Sequence, residues 1–269
     1  MKNRKFLGQH WLKDRQILDQ IALLARPDLD ENSAPGQISP QKSSLLCLEI
    51  GPGLGTLTSA LFRQFNQVLA VELDDNLAKN LPNSFPGKNL TVKNLNFLDF
   101  DLDQEINQPF VVAANIPYYI TSPIISKLSN LKSKPLKIVL LMQKEVAERI
   151  TAKTGQHTLL SIITQNLADV KYEFTVSAKF FTPPPKVDSA VVSLIPRFSP
   201  AISDYAIKIA SLGFSSPRKK LINNLSNYFS QSQVSQIFAA LNLQSNARAS
   251  DLSLLDWQNI ADQIQLSLR

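Results

Sequence analysis

VKYEFTVSAKFFTPPPKVDSAVVSLI, residues 170–195, decides the topology. Two apolar runs of strand length, VKYEFTV (170–176) and SAVVSLI (189–195), flank the connection SAKFFTPPPKVD, with its three consecutive prolines Pro183 to Pro185. Strands joined by a loop too short for a helical crossover are expected to be antiparallel. Upstream the pattern differs. SLLCLEI (44–50), QVLAVEL (67–73), NLTVKN (89–94), FVVAAN (110–115) and KIVLLMQ (137–143) are strand-length runs. Helical spacing or length marks 14–25, 56–65, 75–81, 122–131, 144–152 and 157–168. Such alternation predicts a mostly parallel α/β sheet covered on both faces, here closed by an antiparallel last strand.

Downstream of about residue 200 only helical spacing remains, as in Tyr205, Ile209 and Leu212, or Leu254, Trp257, Ile260, Ile264 and Leu268. Asp204 and Asp251 are candidate N-caps. The expectation is a domain over 1–199 and a small all-helical domain over 200–269, without internal repeats.

The 269 residues are 44% hydrophobic and 19% charged, the composition of a globular protein. One cysteine, Cys47, excludes an internal disulfide, and with two histidines, His10 and His157, it excludes the usual zinc ligand sets, so no metal is expected. No apolar run approaches the roughly 20 residues of a membrane helix. MKNRKFLGQHWLKDRQ lacks the apolar core of a signal peptide. A cytoplasmic protein, not associated with a membrane, is expected. The net charge of +6 points towards a polyanion. Basic residues gather at 1–15 and 127–153, around an acidic centre from Glu72 to Glu105. That order fits a cationic cofactor pocket within a nucleic-acid-binding rim.

Three runs carry chemistry. In LEIGPGLGTLT (48–58) a glycine turn, Gly51, Gly53 and Gly55, follows a buried strand and opens a helix, so a ligand can approach the backbone. Its spacing is not the GxGxxG of nicotinamide enzymes. In AVELD (70–74) the acidic Glu72 ends the next strand, where it can accept from ribose hydroxyls. In NIPYY (115–119) the Asn115 oxygen and the Ile116 carbonyl can accept the hydrogens of an exocyclic amine, Pro117 stiffens the turn, and Tyr118 can stack on a base. A mainly parallel sheet closed by an antiparallel strand is the topology of S-adenosylmethionine-dependent methyltransferases, a Rossmann-like class I sheet, and not of dinucleotide dehydrogenases.

Through these runs and four others, the chain resembles the KsgA/RsmA family of ribosomal RNA adenine dimethyltransferases. FLGQHWL (6–12), EIGPGLGTLT (49–58), VELD (71–74), NIPYYI (115–120), MQKEVAERI (142–150), FTPPPKVDSAVV (181–192) and FSSPRKKLINNL (214–225) carry the resemblance. It implies S-adenosylmethionine as cofactor and two methyl transfers to each of two adjacent adenosines in the 3′-terminal hairpin of 16S rRNA. The substrate would be a late small-subunit precursor, and the enzyme a monomer. It implies cofactor contacts at His10, Leu12, Gly51, Gly53, Glu72, Asn96 and Asn115. Two of these depart from the commoner pattern: His10 stands where asparagine is more usual, and Asn96 where aspartate is. The resemblance adds Phe181, with Phe180 beside it able to exchange roles, to Asn115 and Tyr118 as the second aromatic face of the target-base slot, and Arg218, Lys219 and Lys220 as RNA contacts. Two other readings stay open: a 23S rRNA adenine methyltransferase of the antibiotic-resistance type, and a non-catalytic assembly or transcription factor.

Overall fold

The computed structural model describes residues 10–27, 43–116 and 121–267, apart from the side chains of 121, 122 and 129. In chain order the first elements are strand β1 (Trp11–Leu12), helix α1 (Arg15–Leu24), β2 (Ser43–Ile50), α2 (Thr56–Gln64), β3 (Phe65–Glu72) and α3 (Asp75–Asn80). β4 (Asn89–Asn94), α4 (Leu102–Glu105), β5 (Phe110–Asn115), α5 (Thr121–Ser129), β6 (Ile138–Gln143), α6 (Lys144–Ile150) and α7 (Leu159–Leu167) follow. The last strands are β7 (Ala168–Val176), β8 (Phe181–Thr182) and β9 (Ser189–Pro196). Then come α8 (Asp204–Gly213), α9 (Leu221–Leu225), α10 (Gln231–Ala240) and α11 (Leu254–Ser267).

Seven strands form one sheet in the order β4-β3-β2-β5-β6-β9-β7. β2 pairs in parallel with β3 and β5, β3 with β4, and β5 with β6, whereas β9 runs antiparallel to β6. β2, β3, β5 and β6 each bury five consecutive residues, so both faces of the sheet centre are covered. The edge strand β4 buries no residue fully. One covering face is built by α1 and α2: Leu18, Ile21, Leu57 and Leu61 share an apolar cluster with Phe65, Val68, Val111 and Val139 of the sheet. Asp14 starts α1 by accepting from the Ile17 N–H at 3.0 Å.

The hairpin expected at 170–195 has two additions. β9 inserts between β6 and β7, so β6 is its antiparallel partner. The connection also contains β8, which pairs antiparallel with β1 (Trp11 opposite Thr182, Leu12 opposite Phe181).

The chain forms two compact units, residues 1–147 with 169–196, and residues 148–168 with 197–269. The expected division at residue 200 therefore misassigns 148–168. Ile162 of α7 belongs to the apolar cluster of Ile202, Ala206, Ile209 and Trp257. The Asn166 side chain accepts from the Ile202 N–H at 2.7 Å, and the N–H groups of Gly155 and His157 donate to the Ser250 carbonyl. In this unit Gly213 meets a ring closely: a Cβ there would lie 2.4 Å from the Trp257 ring. Two expected caps are replaced by serines. Ser203 caps α8, with Asp204 in its first turn. Before α11, the Ser253 hydroxyl accepts from the Asp256 N–H and donates to the Asp256 carboxylate, while Asp251 accepts from the Arg248 N–H.

Candidate active site

β2 has β3 on one side and β5 on the other, so the strand order reverses at its carboxyl end, where open α/β sheets place their ligand crevice. A cavity of about 350 Å³ lies there. Its wall comes from β1, the glycine turn after β2, and the residues ending or following β3, β4 and β5. His10, Leu12, Gly51, Gly53, Glu72, Asn96 and Asn115, gathered from across more than a hundred positions, all line it.

The glycine turn and Glu72 are built as one piece. The Gly51 N–H donates to the Val71 carbonyl at 2.9 Å, tying the turn to β3. Gly53 has φ +57°, a left-handed conformation that L side chains rarely adopt, and a Cβ on it would come 3.1 Å from the Trp11 ring nitrogen. Its N–H donates to Glu72 Oε2 at 3.0 Å, while Glu72 Oε1 accepts from the Asp74 N–H at 2.8 Å. Glu72 is only 6% exposed. Burial pushes its carboxyl above the ordinary value, and the bonds from the Asp74 and Gly53 N–H groups work against that rise. Each oxygen keeps a further lone pair for a ligand hydroxyl.

Asn96 caps a single helical turn, Phe97–Asp99, its side-chain oxygen accepting from the Leu98 N–H at 3.1 Å. An aspartate could do the same, but only the amide also brings hydrogens to the wall. Asn115 ends β5, half-buried, and its Nδ2 donates to the His10 carbonyl at 3.3 Å. The His10 Nδ1 lies 2.8 Å from the Pro183 carbonyl. A carbonyl only accepts, so Nδ1 carries the hydrogen.

Phe181 does not offer the open face expected of it. It is 3% exposed, does not line the cavity, and packs in the cluster of Leu12, Leu18 and Ile21. Its neighbour Phe180 is half-buried, with the Lys179 ammonium 5.1 Å from its ring centre. Pairing of β8 with β1 sets Phe181 opposite Leu12, and both side chains pack in the same core cluster. Pro117 and Tyr118 lie outside the described residues. Arg218, Lys219 and Lys220 are exposed in the second unit, on the turn leading into α9, with Lys220 at its N-cap position.

Sequence reasoning passed over Glu49 and Trp11, which also line the cavity. Glu49 is 1% exposed. Its Oε2 accepts from the Thr58 hydroxyl at 2.6 Å, and its Oε1 has no partner. Burial first, and the nearby Glu72 charge less, push its carboxyl up to about 8, although the Thr58 hydroxyl pulls it down. The signal was present: a carboxylate inside the otherwise apolar strand SLLCLEI must face something polar. A nucleoside-bearing amino-acid sulfonium fits this wall. It would bring ribose hydroxyls to the free lone pairs of Glu72 and a donor to the orphaned Glu49 oxygen. Among the described residues there is no cluster of three or more histidines, cysteines or carboxylates able to hold a metal ion, and no helix long and apolar enough to cross a membrane.

The family described as "Ribosomal RNA adenine dimethylase" matches residues 1–266. The chain belongs to that family. Two members are similar over almost the full length. The ribosomal RNA small subunit methyltransferase A of Acaryochloris marina is 39% identical over 277 residues, 98% of each chain. That of Mycoplasmopsis synoviae is 36% identical over 257 residues, 93% of each. Among solved structures, a dimethyladenosine transferase from Plasmodium falciparum superimposes with TM-score 0.74 at 26% identity, covering 95% of this chain and 97% of that one. The 23S rRNA methyltransferase ErmE gives TM-score 0.72, also at 26% identity, covering 95% and 99%. The adenine dimethylase fold is thus shared by enzymes named for different rRNAs.

Proposed function

We propose that this chain transfers methyl groups from S-adenosylmethionine to the N6 amines of two adjacent adenosines in the 3′-terminal hairpin of 16S rRNA, giving dimethyladenosines. The observation that carries this reading is the convergence of Glu72, the glycine turn and Asn115 on one cavity, in a chain of the adenine dimethylase family. The choice of small-subunit over 23S rRNA rests on the full-length relatives at 36–39% identity, named for the small subunit. A precursor of the small subunit, met in the cytoplasm by a monomeric enzyme, completes the reading.

When bound, the cofactor supplies an electrophilic methyl carbon on a sulfonium sulfur. The amine proton displaced by the methyl group would pass to water. No strong base is required, so positioning and fixed dipoles carry the catalysis. Glu72 holds the ribose hydroxyls. Gly51 and Gly53 let the ligand lie against the backbone. The Asn115 oxygen and the Ile116 carbonyl accept the two amine hydrogens and aim the nitrogen lone pair, and Tyr118 stacks on the base.

The test is mass spectrometry of nuclease-digested rRNA after incubation of the protein and cofactor with undermethylated small subunits, and separately with 23S rRNA. Dimethyladenosine in 16S rRNA alone supports the reading. Dimethyladenosine in 23S rRNA alone favours the resistance-type activity, and none in either favours a non-catalytic factor.

A further inference from the structure

We propose that His10 is a positioning residue that sets which end of the Asn115 amide faces the target, and so makes the site selective for a base carrying an amino group. This rests on the reading of Asn115 as the acceptor of the target amine. A primary amide has an accepting end and a donating end. The His10 carbonyl only accepts, and it takes the donating end, Asn115 Nδ2, at 3.3 Å. The accepting oxygen is therefore what Asn115 keeps for the cavity it lines. A flipped amide would set oxygen against the His10 carbonyl and N–H against the N–H of the target amine. A base with a carbonyl at that position would meet an oxygen and go unpaired.

The carbonyl can select only if it is held still. Residues 11–13 are fixed by the β1–β8 pairing and by the Lys13 N–H donating to the Phe180 carbonyl at 3.0 Å. His10 lies just beyond that ribbon. Its imidazole carries the hold one residue further, through the 2.8 Å bond from Nδ1–H to the Pro183 carbonyl. The proline connection and the amine-accepting residue are thus joined through one histidine. An asparagine would place its Nδ2 where the imidazole has Nδ1, and so could make the same bond. Glutamine would place its amide one bond too far out.

The series His10→Asn, His10→Gln and His10→Ala tests this. Single-turnover transfer at saturating cofactor should stay within about twofold of the parent for His10→Asn, and fall about tenfold or more for the other two. Any loss of cofactor affinity, read by calorimetry, belongs to the cofactor contact also assigned to His10, and saturation removes it from the rate comparison. Without any substrate, the Asn115 side-chain N–H signals, assigned by their loss in Asn115→Asp, should lose exchange protection in His10→Ala and His10→Gln and keep it in His10→Asn. Equal rates across the series, or unchanged Asn115 protection in His10→Ala, overturns the proposal. If the parent protein makes no dimethyladenosine while the protection still follows the series, the assigned function falls and the positioning role stands.

Discussion

Glu72 and Glu49 are two carboxylates on the wall of one cavity, and their partners give them different work. Both Glu72 oxygens are held by backbone N–H groups, so the side chain is oriented before a ligand arrives. Glu72→Ala should cost roughly 1.5–3 kcal/mol of cofactor affinity, the range for hydrogen bonds to a charged group, and calorimetry showing unchanged affinity would remove the ribose assignment. Glu49 has one partner and one orphaned oxygen. Its folded carboxyl is pushed up to about 8, while an unfolded glutamate titrates near pH 4.3. Between those values the folded state binds the extra proton. Its contribution to stability is full below the unfolded value and is lost as pH rises through about 8. The urea midpoint of the cofactor-free protein should therefore fall from pH 5 to pH 8, and fall less in Glu49→Gln; parallel curves for the two proteins would show that Glu49 is ionised throughout. Glu72 and Asn115 were legible in the sequence because each ends an apolar strand beside a motif. Glu49 was not, because one polar position in a strand does not tell what its side chain meets.

Among the elements, strands and long helices were read from periodicity with ends no more than two residues out, and the short pieces were missed. β1 and β8 have two residues each and no pattern of their own; only their mutual pairing makes them strands. That pairing also decides that Phe181 faces the core, since a side chain's facing in a strand follows from its register. The helix starts show the same limit. Ser203 and Asp204 are both good capping residues, and the backbone path, not residue preference, chose the serine. Between α8 and α11 the fit is tight. The Asn224 side chain donates to the Gly213 carbonyl at 2.6 Å, and a Cβ on Gly213 would strike the Trp257 ring. Gly213→Ala should destabilise the protein by about 1–3 kcal/mol through overpacking, even though alanine is the better helix former. Urea denaturation checks it: a neutral or stabilising effect would mean that the ring moves aside freely.

At the scale of the whole molecule, net charge +6 and the exposed run Arg218–Lys219–Lys220 bear on RNA affinity. Replacing all three by alanine should shallow the slope of log K against log salt by about 0.7–0.9 for each phosphate that is no longer neutralised. An unchanged slope would make the run an ordinary solvated turn. The sequence by itself determined the fold class, the chain order of the longer strands and helices, and the places of the glycine turn, Glu72 and Asn115 at strand ends. Side-chain periods of 2 and 3.6, and the backbone demands of glycine and proline, are properties of neighbouring residues and are written locally. Tertiary structure alone decided that His10 reaches Asn115 and Pro183, that Glu49 is orphaned in a cavity wall, and that Phe181 is packed away. It alone joined 148–168 to the helical unit. Those outcomes depend on which distant segments share a core, and burial, the partner of a polar atom and the pKa of a carboxylate exist only once those segments have packed.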